Sequence, residues 1–270
     1  MRFTARFSRR NGPSLARPFV LLLTLALCHR ACAQAPAQSG NAALPDAPQP
    51  QDRTAVTLRN TPRHILSDQA AIWTSPARLR DSNLAGPAVL VLATAVLITT
   101  DHHVMSSEVP TNASLNSHAV TASNALVGGF VAAPVLVYGL GRMHGDGHAT
   151  ETGILDGEAM IDSLAVNEVF KAVSLRERPA IDDARGKFFQ TSVGLDSSFP
   201  SNHSVVAWSS AAVLASEYDG PLTRLTAYGL ATGVSAARVL GREHFPSDVL
   251  VGSAVGWMIG RYVVRRHHVK

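Results

Sequence analysis

Apolar residues gather in six long stretches separated by Gly, Pro and polar breaks. They run over about 84–100, 122–140, 152–173, 204–216, 222–239 and 246–264. Each is too long for an ordinary strand and long enough for a helix of several turns. The first two are almost uniformly apolar and near the length of a membrane span. The third carries Asp156, Glu158, Asp162 and Glu168, so it cannot face lipid on all sides. The fifth follows Pro221, a natural helix start, and carries Arg224 and Arg238. A shorter amphipathic helix is expected at 64–73. Strand patterns are scarce and no internal repeat is visible. The pattern predicts an all-α helical bundle of about six core helices.

The region before the bundle reads differently. Arg2, Arg6, Arg9, Arg10 and Arg17 precede the apolar run Phe19 to Leu27, and Ala31-Cys32-Ala33 follows. This is the plan of a secretory signal peptide over residues 1–33. Residues 34–62 are rich in Pro, Ala and Gln, lack an apolar period and read as a flexible linker. The helical domain is then 63–270.

Cleavage at the signal changes the charge and the redox picture. Both cysteines lie in the signal segment, so the mature chain has no thiol. Six of the 24 basic residues leave with it, giving 18 basic against 20 acidic residues. No net basic surface remains to meet nucleic-acid phosphates, so no nucleic-acid partner is expected.

Three polar groups stand out against the apolar background. Lys171 and Arg178 are seven apart, two helical turns, so one helix face can carry both. Pro179 disfavours helix at Arg178 and marks an end. Two cations there can hold an anion, or simply suit the negative pole of the helix. Pro200-Ser201-Asn202-His203 reads as a turn leading into a helix. Its free N–H groups can cradle an anion, and the same residues can be an ordinary cap. Asn202-His203-Ser204 and Asn112-Ala113-Ser114 are also formal glycosylation sequons. In the third group, Arg238 to Asp248, Gly241 breaks a helix and Pro246 opens the next. Asp248 lies one turn beyond His244, where its carboxylate can accept the imidazole Nδ1–H and leave Nε2 free.

Taken in order, Lys171-x6-Arg178-Pro179, Pro200-Ser201-x-His203 and Arg238-x5-His244-x3-Asp248 resemble the tripartite signature of the type 2 phosphatidic acid phosphatase family. That superfamily also holds bacterial acid phosphatases and vanadium haloperoxidases. Two positions depart from its usual pattern: Asn202 stands where Gly is usual, and Ala237 where Ser is usual before the arginine. Asn tolerates φ > 0 better than most residues, so a similar turn is expected.

The resemblance implies a metal-independent phosphatase acting on phosphomonoesters or pyrophosphates, lipid-linked ones above all, through a phosphohistidine intermediate. It implies His244 as nucleophile, Asp248 as its orienting carboxylate and His203 as acid and base. Lys171, Arg178, Ser201, Asn202 and Arg238 would bind the phosphoryl oxygens. The three motifs fall at one end of the predicted bundle. No cofactor is implied.

Two rival readings follow from the same residues. One is a haloperoxidase holding vanadate at His244; the other is an envelope protein that keeps the fold without catalysis. Asp101-His102-His103, His144-x3-His148 and His267-His268 lack a third ligand at zinc spacing and read as plain loop histidines. The expected substrate is a phosphorylated small molecule or lipid. The expected location is the cell envelope on its periplasmic side, either soluble or embedded, since Arg261, Arg265, Arg266 and Lys270 after the last helix fit a cytoplasmic end.

Overall fold

The computed structural model describes residues 55–78 and 84–267. The signal segment and most of the linker lie outside the described residues, as do His268 and Lys270. Among the described residues there are seven α-helices and no strand. They are α1 (Thr61–Thr74), α2 (Ala85–His103), α3 (Ala113–His144), α4 (Gly147–Ser174), α5 (Asn202–Glu217), α6 (Pro221–Leu240) and α7 (Pro246–His267). The all-α bundle expected from the sequence is what the chain forms: six core helices, with α1 as the shorter leading helix.

The helix ends follow local chemistry. Asn112 Oδ1 accepts the Leu115 N–H at 3.0 Å and starts α3 nine residues before the expected 122. The sequon asparagine is therefore a helix cap. The 144–148 segment is not a loop. Gly145, at φ 69°, closes α3, and Asp146 Oδ1 accepts the Ala149 N–H at 3.1 Å to open α4. Only a left-handed residue fits such a helix end, which favours glycine. His148 then lies on α4 and pairs with Glu217 at 3.1 Å.

The middle of the bundle is α5, which packs against α3, α4, α6 and α7. Val205, Val206, Ala207, Ala211, Ala212, Val213, Leu214 and Ala215 are all buried, so this helix is apolar nearly all round. Asp156, Glu158 and Asp162 of α4 are fully buried and point into the bundle, as expected of charges that cannot face lipid.

Close contact between α5 and α7 comes from a glycine row. A Cβ on Gly252 would sit 2.7 Å from the Ser201 carbonyl oxygen. One on Gly260 would sit 2.5 Å from the Ser209 oxygen, and one on Gly256 would be closer still to the Val205 oxygen. Spacing of four puts all three on one face. Gly256→Ala should therefore force the helices apart and cost about 1–3 kcal/mol, the usual penalty of overpacking. Thermal unfolding of the purified variant checks this; an unchanged Tm would contradict the tight packing.

Among the described residues, two helices are long and apolar enough to cross a membrane: Ala85–Glu108, which is α2 with the π-turn that follows it, and Ala113–His144. Their apolar side chains face outward. Val89, Val91, Leu92 and Val96 of α2 and Val131, Val135, Leu136 and Met143 of α3 are all exposed. Exposed apolar surface on this scale marks an interaction face.

Candidate active site

The three polar groups meet at one end of the bundle. Lys171 stands in the last turn of α4, Ser201 to His203 open α5, Arg238 closes α6, and His244 with Asp248 frames the start of α7. The amide of Ser201 donates to the Asp248 carbonyl at 3.1 Å, which joins the second and third groups directly.

Arg178 arrives by a route the spacing did not suggest. α4 stops at Ser174 because Leu175 turns left-handed, at φ 43°. Arg178 thus lies in the following loop, not two turns up the same helix face. It is held there by Asp196 Oδ1 at 2.7 Å and by Glu243 Oε2 at 3.2 Å. Glu243 also accepts from Arg238 Nη2 at 3.2 Å, so one carboxylate lies between the two arginines. Lys171 is buried and its Nζ donates to the Ser197 carbonyl. Burial, then the nearby Arg178, push its pKa down from the usual lysine value.

His244 is oriented mainly by a backbone carbonyl. Its Nδ1 lies 2.8 Å from Ser198 O and 3.5 Å from Asp248 Oδ2. A carbonyl oxygen can only accept, so Nδ1 carries the proton and Nε2 keeps its lone pair. The expected tautomer results, with Ser198 as the nearer partner. Burial pushes the His244 pKa down, against the upward pull of Asp248.

Asp248 is turned toward another residue, Arg176. Arg176 Nη1 donates to Asp248 Oδ1 at 2.6 Å and to Ser247 Oγ at 2.7 Å. Its Nη2 donates to Asp101 Oδ2 at 2.8 Å. The guanidinium is 1% exposed and lies between the rings of Phe188 and Phe245, at 4.6 and 4.1 Å from their centroids. Burial alone would raise the Asp248 carboxyl. His244, Arg176 and the Phe245 N–H, which donates at 2.8 Å, hold it below the usual aspartate value.

Sequence reasoning missed Arg176, which sits in the unassigned spacer of the first group. It also missed the role of Asp101, which is part of this ion network rather than a loop neighbour of His102. Asn124, Ser197 and Ser198 carried no recognisable signal.

Ser201 is the N-cap of α5, accepting the Ser204 N–H at 3.4 Å. Asn202 is the first residue of that helix and is not among the residues with positive φ. The left-handed tolerance expected of it is not used, and a residue with a Cβ fits there without backbone strain. Its Nδ2 donates to Glu168 Oε1 at 2.8 Å, and its Oδ1 accepts from Asn167 Nδ2.

His203 Nε2 lies 2.9 Å from Asn124 Oδ1, an oxygen that also accepts from Arg238 Nη1 at 3.3 Å. That oxygen is an acceptor for both, so Nε2 of His203 carries a proton. Burial, then Arg238, His244, Arg178 and Lys171, push its pKa down to about 4. A phosphoryl anion among these cations would raise it again.

Three buried or half-buried cations and two histidines thus lie together at this end of the bundle, an arrangement that can hold an oxyanion. Residues 157–270 match the PAP2 superfamily model, so the likeness to the type 2 phosphatidic acid phosphatase family holds over the segment that carries all three motifs. Among solved structures, the chain is similar to the first transmembrane PAP2 type phosphatidylglycerolphosphate phosphatase from Bacillus subtilis. The likeness has a TM-score of 0.49 at 22% identity, and covers 66% of this chain and 93% of that one. No curated protein matches the chain.

Proposed function

We propose that the chain is a metal-independent phosphatase of phosphomonoesters or pyrophosphates, with lipid-linked phosphates as its preferred class and a phosphohistidine as its intermediate. The observation that carries this reading is the convergence of Lys171, Arg178 and Arg238 around two histidines whose tautomers differ. Nε2 of His244 is a free lone pair, and Nε2 of His203 holds a proton.

In this mechanism His244 Nε2 forms a bond to phosphorus as the bond to the leaving oxygen breaks. His203, as imidazolium, gives that oxygen a proton. The neutral His203 then takes a proton from water, whose oxygen attacks phosphorus and releases phosphate and His244. The three cations, with Ser201 and the Asn202 N–H, neutralise and position the phosphoryl oxygens. The N-terminus of α7 beside His244 favours the same negative charge. Glu243, between the two arginines, occupies part of the space an incoming anion needs.

The lipid part of the reading rests on surface chemistry. An apolar groove of about 510 Å³ runs along α7, lined by Leu97, Trp208, Pro246, Val249, Leu250 and Trp257. Pro246 and Val249 bracket the segment that ends in Asp248. Together with the outward-facing apolar side chains of α2 and α3, it supports a chain that works at a membrane. Residues 1–33 would export the chain, placing the site at the periplasmic face of the envelope.

Purified protein in detergent with excess EDTA tests this reading. Phosphate release is expected from phosphatidic acid, a polyprenyl pyrophosphate and a soluble aryl phosphate. The lipid substrates should lead by about tenfold or more in kcat/KM, in line with the alkyl surface they bury. Release from none of the three contradicts the proposal, and equal rates contradict the lipid preference.

The pH profile follows from His203. Its acid form exists in the empty site only near and below pH 4, so the acid-competent fraction falls as pH rises. For an alkyl phosphate, kcat/KM should be at least about tenfold higher at pH 5 than at pH 8. A flat profile over that range would deny His203 the acid role.

A further inference from the structure

A second cluster of ionisable side chains lies away from the candidate active site. His64 and Asp68 come from α1, Glu158 and Asp162 from α4, and His267 from the end of α7; all five are buried. Along α4 and α7 the cluster is roughly 20–28 Å from Lys171 and Asp248, at 1.5 Å per residue.

The members are in close contact. His64 Nδ1 lies 3.2 and 3.3 Å from the two Glu158 carboxylate oxygens. His267 Nε2 lies 2.7 Å from Asp68 Oδ2, and Arg266 Nε 3.2 Å from Asp68 Oδ1. The imidazoles stack at 4.2 Å and 16°. One ligand atom each from His64, Glu158 and His267 fall within 4.8 Å of one another.

Charge does not balance within this group. Three buried carboxyl groups face one fixed cation, Arg266, among the described residues; with all three ionised and the imidazoles neutral the cluster would carry about two uncompensated negative charges, which is costly in an interior. Three of its polar atoms, His64 Nε2, Asp68 Oδ1 and Asp162 Oδ2, are buried with no hydrogen-bond partner, Asp68 Oδ1 having only its ion pair with Arg266. A positive species must also lie between His64 Nδ1 and Glu158, either a proton or a metal ion.

We propose that His64, Glu158 and His267 bind one divalent transition ion, with zinc the best match to two imidazoles and a carboxylate. Asp68 accepts the Nε2–H of His267, which leaves Nδ1 for the ion, the usual arrangement of a carboxylate behind a ligating histidine. Zinc ligands lie about 3.3–3.5 Å apart at ordinary bond lengths, so loading draws the three inward and tilts one ring out of the stack. The ion then ties α1 and the end of α7 to α4. It takes no part in phosphoryl transfer.

Metal-stripped protein titrated with zinc chloride, read by calorimetry and thermal unfolding, tests the site. One equivalent is expected to bind. At free zinc near one hundred times Kd, Tm should rise by roughly 5–10 °C. Both effects should vanish in His64→Ala and in His267→Ala, and weaken in Glu158→Gln, which keeps the side-chain volume. Phosphatase turnover, where present, should persist in EDTA at 25 °C. No stoichiometric zinc binding by the wild-type chain would mean that protons, not a metal, balance the cluster, and would overturn the proposal. So would full binding in the His64 or His267 variant.

Discussion

Substitution of His244 by Ala should lower kcat by on the order of 10³-fold or more, the scale of losing a nucleophile that works with its partners as a unit. His244 is 2% exposed and its Nδ1–H is spent on Ser198 O, which leaves Nε2 as its reactive nitrogen. Lys171, Arg178 and Arg238 remain in the variant, and inorganic phosphate should still bind as a competitive ligand. Loss of turnover with binding kept separates a chemical role from a folding defect. His244→Asn, which can still donate to Ser198 O, should be as inactive but closer to wild type in Tm. Full activity in His244→Ala would mean that another group attacks phosphorus.

Arg176→Met should cause the largest loss of stability, about 3–5 kcal/mol, because it leaves Asp101 and Asp248 buried without their cation. For a chain of this size that is a fall in Tm of roughly 10 °C or more. The flat guanidinium bridges both carboxylates and stacks between Phe188 and Phe245. Lysine can reach only one of the two carboxylates, so Arg176→Lys should fall between wild type and methionine. Because Asp101 belongs to α2 and Asp248 to the first turn of α7, the same change should loosen the outward-facing apolar helix from the candidate site. Arg176→Met combined with Asp101→Asn should recover part of the loss by removing one unpaired charge. A methionine variant as stable as wild type would show that the triad does not hold α2 to the bundle.

Much of this architecture was legible in the chain itself. Apolar stretches with Pro and Gly at their ends gave six core helices in the right order, and Pro221, Gly241 and Pro246 mark real boundaries. Where the reading fell short, the cause is local. α3 begins at Ala113 because Asn112 caps it, and a polar run such as Ser114 to His118 hides a helix from an apolar-period test. α4 ends at Ser174, close to the expected 173, but Leu175, a residue with no obvious stop signal, adopts a left-handed conformation and takes Arg178 off the helix face that carries Lys171.

The candidate site residues stand out in the sequence because their types and spacings fall in one order along the chain. Their partners do not, since a hydrogen bond to Ser198 O or an ion pair with Arg176 joins positions 46 and 72 apart. Spacing within a motif says nothing about such pairs. Gly252, Gly256 and Gly260 were readable in principle: small residues four apart on one helix point to a close helix–helix contact. His64, Glu158 and His267 were not, because they meet only when α1, α4 and α7 pack.

In the proposed mechanism His244 carries the phosphoryl group. His203→Ala incubated with an aryl phosphate tests it most directly, since an aryl leaving group needs no proton and the first step can proceed while water attack stalls. A burst of one phenolate per chain is expected, with an acid-labile phosphoryl group on the His244 peptide by mass spectrometry. Steady release of phenolate with no burst, and no phosphoryl group on His244 while the wild-type chain turns over, would contradict it.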